Sequence, residues 1–289
     1  MELRHLRYFI AVAERLHFAQ AAQALGISPP TLTVQIQEIE RALQAQLFRR
    51  NKRSVVLTPA GESFLAEARA TLVQFDRALN VGQRAGRGEL GRINVGYVGS
   101  AAFSGILQNQ IRLFREAWPD VLVHAAEFPM SDLPALLEDG RVDVAFVRLP
   151  VDLPTSLRTH VLLRDSFCAA LPAEHPMANA REPIKARSLA GETFVVPEQD
   201  LGTREVARRG RFTPRIVSTP GSLLAVLTQV SVGAGIAIVP NVLTKVVDLP
   251  NVRFRPLAGQ PIASEVAAVF RKFEHSPATK KLIGQMTDT

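Results

Sequence analysis

The pattern of hydrophobic positions changes character near residue 92. Before it, apolar residues recur every three or four positions, which is the period of an amphipathic helix. After it, short and mostly apolar runs alternate with helical segments, as they do in an α/β domain. Because these runs are apolar on both faces, we expect a doubly wound, parallel sheet that is covered on both sides.

The stretch from Phe18 to Leu43 predicts two helices that are joined by a tight turn. Gly26 can take the left-handed conformation that ends the first helix, while Ser28 and Pro29 suit the start of the second. This is the arrangement of a helix-turn-helix, whose second helix enters the DNA major groove. An ordinary helical hairpin is the alternative. The residues expected to meet DNA from this helix are Ser28, Pro29, Pro30, Thr31, Thr33, Val34 and Gln35.

A cluster of cations follows, just before the β-prone run from Val55 to Leu57. It comprises Arg49, Arg50, Lys52 and Arg53, of which we expect Arg50, Lys52 and Arg53 to contact DNA. Such a turn suits a wing along the phosphate backbone, although a solvated turn would have the same composition. The chain carries 34 Lys and Arg against 27 Asp and Glu, and its first 60 residues hold eight against four. This uneven distribution favours a nucleic-acid-binding N-terminus.

The next predicted helix starts at Thr58 and Pro59 and runs to about Gly82. Its apolar positions form a narrow seam, which is typical of a coiled-coil partner and predicts self-association. The seam consists of Phe64, Ala68, Leu72, Phe75 and Leu79. The glycine-rich and charged segment 83–91 then predicts a hinge between domains.

The second part of the chain predicts two sets of strands with helices between them. The first set of strands is Ile93–Val98, Val121–Ala126 and Val142–Val147, with helices at Ile106–Trp118 and Leu133–Glu138. The second set is Phe167–Leu171, Thr193–Val196, Arg215–Val217 and Ile236–Val239, with a helix at Ser222–Val232. A strand at Glu265–Phe270 and a helix at Pro277–Met286 would return the chain to the first set.

Composition and motifs exclude several classes of protein. Hydrophobic residues at 47% and charged residues at 21% describe a globular chain, and no apolar run is long enough for a membrane span. With no signal peptide, we expect a cytoplasmic location. The single cysteine, Cys168, excludes an internal disulfide. The histidines lack metal-ligand spacing, and neither a nucleophile elbow nor a phosphate loop occurs, so we expect no metal, cofactor or enzymatic activity.

Several segments together resemble the LysR-type transcriptional regulators over almost the whole chain. They are MELRHLRYFIAVAE, AAQALGISPPTLTVQIQEIERAL, LTPAGESFL, INVGYVGS, LLEDGRVDVAFVRLP and VSVGAGIAIVP. The opening and the VGYVGS and FVRLP segments are most similar to regulators of aromatic-compound degradation that sense muconate-like dicarboxylates.

The resemblance implies three parts: a winged helix-turn-helix at 1–58, a dimerising linker helix with a hinge at 59–91, and an effector domain at 92–289. The effector domain would have two subdomains, like a periplasmic binding protein, with about 92–161 and 267–289 in the first and about 162–266 in the second. The implied partners are double-stranded DNA, further copies of the chain as a dimer or dimer of dimers, RNA polymerase and a small anionic or aromatic effector. A solute-binding or sensor protein in which DNA binding is secondary is the alternative.

The chain departs from the family pattern on the recognition helix. Family members commonly place a glutamine where Pro29 stands and an arginine where Val34 stands. Neither residue here can hydrogen-bond to a base edge through its side chain, but Val34 can contact a thymine methyl. We therefore expect altered operator preference and not a loss of DNA binding.

The predicted effector cleft lies beyond the carboxyl ends of the strands, where ligands bind in open α/β sheets. Arg148 ends one strand and can pair with a carboxylate, although a structural bridge to Asp152 or Glu198 would also explain it. Serines near the other strand ends would cap local helices with or without a ligand. The arginine-rich segment 204–215 suggests a solvated face or an additional anion site. The full candidate set is Gly99, Ser100, Ala101, Met130, Ser131, Arg148, Pro197, Glu198, Gln199 and Thr203.

Overall fold

The computed structural model describes residues 1–51 and 54–288, which fold into two compact units. The first unit ends at Arg84 and the second begins at Ala85. This division falls inside the segment 83–91 in which the sequence predicts a hinge. Within the described residues, no helix is both long enough and apolar enough to cross a bilayer.

The first unit opens with the predicted helix-turn-helix. Its helices are α1 (Leu3–Arg15), α2 (Phe18–Leu25) and α3 (Pro29–Leu43). Gly26 follows α2 with a φ of +67°, and its N–H donates to carbonyl oxygens of the preceding turn. Ser28 then caps α3 by accepting a hydrogen bond from the N–H of Thr31 at 3.2 Å. The predicted turn is therefore confirmed in its local chemistry.

A short hairpin and a long helix complete the first unit. They are β1 (Phe48–Arg50), β2 (Val55–Leu57) and α4 (Pro59–Gly86). The two strands are antiparallel, with Phe48 opposite Leu57. Helix α4 continues past Gly82, where the sequence predicted its end, because one glycine inside a long helix costs only about 1 kcal/mol. Helix α1, α3 and α4 share a core around Phe9, whose ring lies 5.3 Å from that of Phe48.

The second unit contains the remaining elements. Its strands are β3 (Gly91–Tyr97), β4 (Val121–Glu127), β5 (Val144–Leu149), β6 (Leu157–Pro172), β7 (Thr193–Pro197), β8 (Arg215–Gly221), β9 (Ala237–Pro240), β10 (Val252–Pro256) and β11 (Ala263–Arg271). Its helices are α5 (Gly99–Ala102), α6 (Ile106–Ala117), α7 (Leu133–Glu138), α8 (Leu201–Gly210), α9 (Leu223–Ser231), α10 (Leu243–Val246) and α11 (Pro277–Thr287), with a 3-10 turn at Ala186–Leu189.

The main sheet is mixed and not purely parallel. Its order is β10-β6-β11-β5-β3-β4, with β9 also paired to β6. Strands β3, β4 and β5 are parallel as predicted, but β11 runs antiparallel to both β5 and β6. Among the antiparallel strands, β6 and β11 are the two segments in which the chain passes between the subdomains and returns. Strands β7 and β8 form a separate parallel pair.

Strand β6 joins the two subdomains of the second unit. Residues 157–166 pair with β11, whereas residues 167–172 pair with β9 and β10. Only the second half was predicted as a strand, because the first half carries polar and charged side chains. The ladder between β6 and β11 shifts its register between Val266 and Ala267. This irregularity lies at the predicted subdomain boundary, and separate hydrophobic cores lie on either side of it.

Candidate functional site

The start of α3 uses most of its hydroxyl groups within the helix. The hydroxyl oxygens of Ser28 and Thr31 lie 2.7 Å apart, within hydrogen-bond distance. The Thr33 hydroxyl donates to the carbonyl oxygen of Pro29 at 2.9 Å. Three of the polar groups expected to meet DNA therefore already have partners within this first turn.

Besides these hydroxyl groups, the outward face of the first two turns of α3 combines one amide with apolar surface. The Gln35 amide donates to the Glu38 carboxylate at 2.9 Å. Val34 is 50% exposed, and Pro30 is exposed as well. The surface that the helix offers to a groove is thus largely apolar at its first two turns. Such a surface favours contact with thymine methyl groups over hydrogen bonds to base edges.

Arg50 is anchored on the hairpin by the buried Glu40. One Glu40 oxygen accepts hydrogen bonds from the N–H groups of Leu47 and Phe48 at 2.8 and 3.2 Å. The other lies 3.4 Å from the Arg50 guanidinium, which also stacks 4.5 Å from the ring centroid of Phe18. The sequence did not single out Glu40, since a glutamate in a helix is usually exposed.

Of the remaining wing cations, only Arg49 is among the described residues. Arg49 is exposed on β1. Lys52 and Arg53, which the sequence predicts as phosphate contacts, lie outside the described residues. Contact between the wing and DNA therefore remains a prediction, and among the described residues it rests on Arg49 and Arg50.

The first half of the predicted seam on α4 has an intramolecular partner. Ala68 is 1% exposed, and Phe64 and Leu72 pack with it against the core of the first unit. The Phe64 ring lies 4.9 Å from that of Phe9. These three residues do not need a second chain to be covered.

The second half of α4 is more open. Leu79 is 49% exposed, Val73 is 69% exposed and Val81 is 48% exposed, while Phe75 is half-buried. Apolar side chains at these positions are available for self-association. Any pairing of linker helices would therefore centre on the segment from Val73 to Val81.

A cavity of about 270 Å³ opens between the two subdomains of the second unit, beyond the ends of β3, β5 and β7. We call it the inner cavity. Six of the predicted effector residues line it: Gly99, Ser100, Arg148, Pro197, Glu198 and Gln199. The other residues of its lining are Val98, Glu127, Phe128, Pro129, Leu149, Pro150, Phe167, Leu201, Gly221, Ser222, Leu223 and Pro240. The cavity is thus mainly apolar, with a few charged and polar groups.

Arg148 is the buried cation of the inner cavity, with 4% of its surface exposed. Its Nε donates to the carbonyl oxygen of Ser100 at 3.0 Å, and its Nη1 donates to the hydroxyl of Ser264 at 2.8 Å. Nη1 also lies 3.7 Å from the Asp165 carboxylate. Nη2 is buried without a hydrogen-bond partner among the described residues. Burial lowers the pKa of Arg148 to about 10 despite the opposing effect of Asp165, so the guanidinium stays charged at neutral pH.

The structural partners of Arg148 differ from those that the sequence suggested. They are Asp165 and Ser264, and not Asp152 or Glu198. Strand β11 lies between β5 and β6 and places Ser264 opposite Asp165, next to the end of β5. This proximity depends on the antiparallel return of β11, which the sequence pattern did not predict.

Three hydrogen bonds connect the two sides of the inner cavity. The Ser100 hydroxyl donates to the Gln199 amide oxygen at 3.4 Å, and the Gln199 amide donates to the carbonyl oxygen of Arg148 at 3.4 Å. The N–H of Met130 donates to the Glu198 carboxylate at 3.0 Å. Glu198 and Gln199 therefore position the second subdomain against the first.

Four predicted effector residues do not line the inner cavity. Ala101 is fully buried in the core, and Thr203 is 2% exposed on α8. Met130 lines an adjoining cavity of about 390 Å³, the outer cavity, and Ser131 is exposed and bonded to Asp132. Neither Ser100 nor Ser131 caps a helix. Ser100 lies inside α5, two residues after the N-cap position at Val98, and Ser131 lies one residue before the N-cap position of α7 at Asp132. The inner cavity lies at the strand ends from which the cleft was predicted, but only six of the ten candidate residues line it.

The sequence missed most of the apolar lining. Phe128 and Pro150 directly follow strands, so the rule used for Ser100 and Arg148 would have found them. Phe167 carried no comparable signal, because its position depends on where β6 passes from one subdomain to the other. Ser222 was recognised within a helix start and does cap α9.

The arginines of α8 are paired along their own helix. Arg204 lies 2.6 Å from Asp200, and Arg208 and Arg209 each lie 2.8 Å from Glu205. The hydrogen bonds from Arg208 and Arg209 lower the pKa of Glu205 to about 2. This arrangement supports the interpretation of the segment as a solvated face.

Two protein-family profiles together match almost the whole chain. One is described as a bacterial regulatory helix-turn-helix protein of the lysR family and matches residues 3–62. The other is described as a LysR substrate binding domain and matches residues 86–289.

Individual proteins are similar over their full lengths. The uncharacterized HTH-type transcriptional regulator YnfL of Escherichia coli strain K12 is 37% identical over 97% of this chain and 96% of its own length. The HTH-type transcriptional regulator AlsR of Bacillus subtilis strain 168 is 33% identical over 98% of this chain and 94% of its own. The crystal structure of full-length CbnR in complex with its target DNA covers 100% of this chain and 99% of its own, with 25% identity and a TM-score of 0.85.

Proposed function

Since the chain belongs to the LysR family and is a DNA-binding transcriptional regulator with an effector-binding domain, we propose that its inner cavity binds a small carboxylate. Binding would change the relation between the two subdomains and, through it, the way in which the oligomer holds its promoter DNA.

The observation that carries this proposal is that the hydrogen bonding of the Arg148 guanidinium is incomplete. Arg148 lines the inner cavity and is almost fully buried, and one nitrogen of its guanidinium has no partner among the described residues. Buried polar groups in folded proteins are nearly always hydrogen-bonded. A carboxylate is the natural complement to a buried guanidinium, because it adds both a charge and acceptor atoms.

Ligand binding at this position would act on the contacts that join the subdomains. Arg148 and Gln199 share a hydrogen bond across the cavity, and Ser100 contacts both residues. A carboxylate that engages Arg148 competes with or rearranges these contacts. The two subdomains meet through β6 and β11, so a small local change can alter their relative arrangement.

Recognition of DNA would combine the apolar start of α3 with the cations of the hairpin. Pro30, Thr31 and Val34 are exposed near the start of α3, and Arg49 is an exposed cation on β1. Self-association would use the open apolar segment of α4 around Leu79.

A thermal-shift titration with small carboxylates tests the effector proposal. A ligand that binds only the folded state raises stability in proportion to the logarithm of its concentration once the sites are saturated. We expect a dose-dependent rise in Tm with the wild type and no rise with Arg148→Gln, which removes the charge from the cavity.

A second variant keeps the proposal testable if Arg148→Gln does not fold. Leu201→Trp keeps Arg148 but adds bulk to a half-buried residue of the lining, so it should also abolish the shift. Unchanged ligand responses in both folded variants would exclude the inner cavity as the carboxylate site.

A further inference from the structure

The charged groups around the inner cavity are unequal in number. Among the described residues of its lining, Arg148 is the one cation, while Glu127 and Glu198 are carboxylates. Behind Arg148, Asp165 supplies another negative charge at 3.7 Å. A ligand that enters this cavity therefore meets a cation on one side and an excess of anions elsewhere.

Glu127 lies beside Gly99, one of the predicted effector residues. It is the last residue of β4, and Gly99 begins α5, two residues after the end of β3. A Cβ atom at Gly99 would come within 2.5 Å of the Glu127 Oε1, so the absence of a side chain there admits the carboxylate. The Glu127 side chain is exposed and has no hydrogen-bond or ion-pair partner among the described residues.

The negative side of the cavity continues outward. Glu198 accepts the Met130 N–H through Oε1, and no described residue hydrogen-bonds to its Oε2. The outer cavity shares Glu198 and adds Asp152 and Asp200, the second of which is paired with Arg204. In the described part of the chain, no group of three or more His, Cys, Asp or Glu residues could hold a metal ion. A cationic group on a ligand would complement these carboxylates in charge.

We propose that the effector is a small amino carboxylate, whose carboxylate pairs with Arg148 and whose protonated amine faces Glu127 and Glu198. This proposal rests on the carboxylate-binding function of the cleft and specifies the class of its ligand. A dicarboxylate would place its second charge against two carboxylates, and like charges that face each other oppose binding. A simple amine would leave the buried Arg148 nitrogen without an acceptor.

A matched ligand series separates the contribution of each charge. Hexanoate, adipate and 6-aminohexanoate have the same carbon chain and differ only in the group at the far end. Butyrate, succinate and 4-aminobutyrate repeat the comparison at a shorter length. Calorimetric titration of the full-length protein should show, in at least one length series, that the amino carboxylate binds most tightly, the monocarboxylate less tightly and the dicarboxylate least tightly. The amino carboxylate should bind at least about tenfold tighter than the dicarboxylate.

Removal of the two carboxylates tests the origin of that preference. In the double variant Glu127→Gln and Glu198→Gln, the ratio of affinities between 6-aminohexanoate and hexanoate should fall to within about twofold of one. Glu198→Gln keeps an oxygen for the Met130 N–H, which limits structural disturbance. The control is Glu174→Gln, which removes one exposed carboxylate that lines neither cavity and should preserve the ratio.

The outcomes distinguish this inference from the function on which it rests. Adipate and succinate that bind as tightly as the amino acids, or a preference that survives the double variant, would overturn the amino carboxylate while leaving a carboxylate cleft. Hexylamine that binds as tightly as 6-aminohexanoate would overturn the pairing with Arg148. An absence of binding by every ligand in both series would overturn the carboxylate function and the inference together.

Discussion

Arg148 carries its charge where little water reaches it. The loss of hydration lowers its pKa to about 10, and Asp165 opposes this effect only in part. The protein provides Ser100 and Ser264 as acceptors, yet one nitrogen remains without a partner among the described residues. A bound anion would stabilise the protein at this position because it offsets the cost of burying the guanidinium.

Cys168 should be chemically inert in the folded protein. It is 1% exposed, and burial raises the pKa of its thiol to about 12, with a smaller contribution from Asp165. At pH 8 only about one thiol in 10⁴ would then be ionised, and the thiolate is the reactive form. We expect iodoacetamide to label the urea-unfolded chain completely and the native chain scarcely, as measured by mass spectrometry. Rapid labelling of native protein would show an accessible thiol.

Glu40 should stabilise the first unit through its buried carboxylate. Glu40→Gln places an amide N–H group towards Arg50, where an acceptor is needed, and should cost about 1.5–3 kcal/mol. The matched control is Glu38→Gln on the exposed side of α3, which should change stability by less than about 0.5 kcal/mol. Chemical unfolding followed by circular dichroism measures both. Equal effects in the two variants would mean that the buried carboxylate contributes little.

Single residues were predictable from the sequence where a local rule governs them. Gly26, Ser28 and Arg148 each follow from their position at the end of a helix or strand. The partners of Arg148 were not predictable, because Ser264 is brought to it by a strand more than a hundred positions away. Glu127 was missed for a related reason: a carboxylate at a strand end has no signal until its neighbour Gly99 is known to lie beside it.

At the scale of elements, the structure turns the departure of α3 from the family pattern at Val34 into a specific prediction about DNA contact. Val34 is half-exposed, and the hydroxyls around it are bonded within the helix. We expect Val34 to contact the C5 methyl of a thymine in the operator. In DNA selected by the protein from a random library, uracil in place of that thymine should weaken binding by about 1 kcal/mol, roughly fivefold.

The variant Val34→Ala provides the control for this contact. It should bind the thymine and uracil versions of the selected DNA with similar affinity, because the side chain that meets the methyl group is shortened. Sensitivity to uracil that persists in Val34→Ala would assign the methyl contact to another residue. No sensitive thymine at any position would contradict methyl recognition by α3.

The long elements show where sequence patterns fail. Helix α4 was predicted with a single apolar seam, but its first half packs within its own unit and only its second half is open. The spacing of apolar residues is the same in a helix that packs within its own unit and in one that pairs with a second chain, so it cannot distinguish the two. In β6, one strand pairs with β11 along its first half and with β9 and β10 along its second half, and its polar first half does not resemble the apolar second half.

At the scale of the molecule, the sequence predicted the two parts of the chain, because hydrophobic period, charge and glycine content all change between them. The division of the second part into subdomains was implied by the family resemblance and not by these patterns. The mixed order of the sheet was not predictable, since strand direction depends on connections and not on composition. The coupling that we propose between an effector in one unit and DNA binding by the other would likewise be a property of the whole assembly.

The most direct test of the account is whether the cleft and the DNA site are coupled. Coupling is reciprocal, so DNA must change the affinity for the effector by the same factor by which the effector changes the affinity for DNA. The measurement is the Kd of the carboxylate with the largest thermal shift, titrated with and without saturating selected DNA. The account predicts a difference of about 5- to 150-fold for the wild type. Equal Kd values with and without DNA would contradict it.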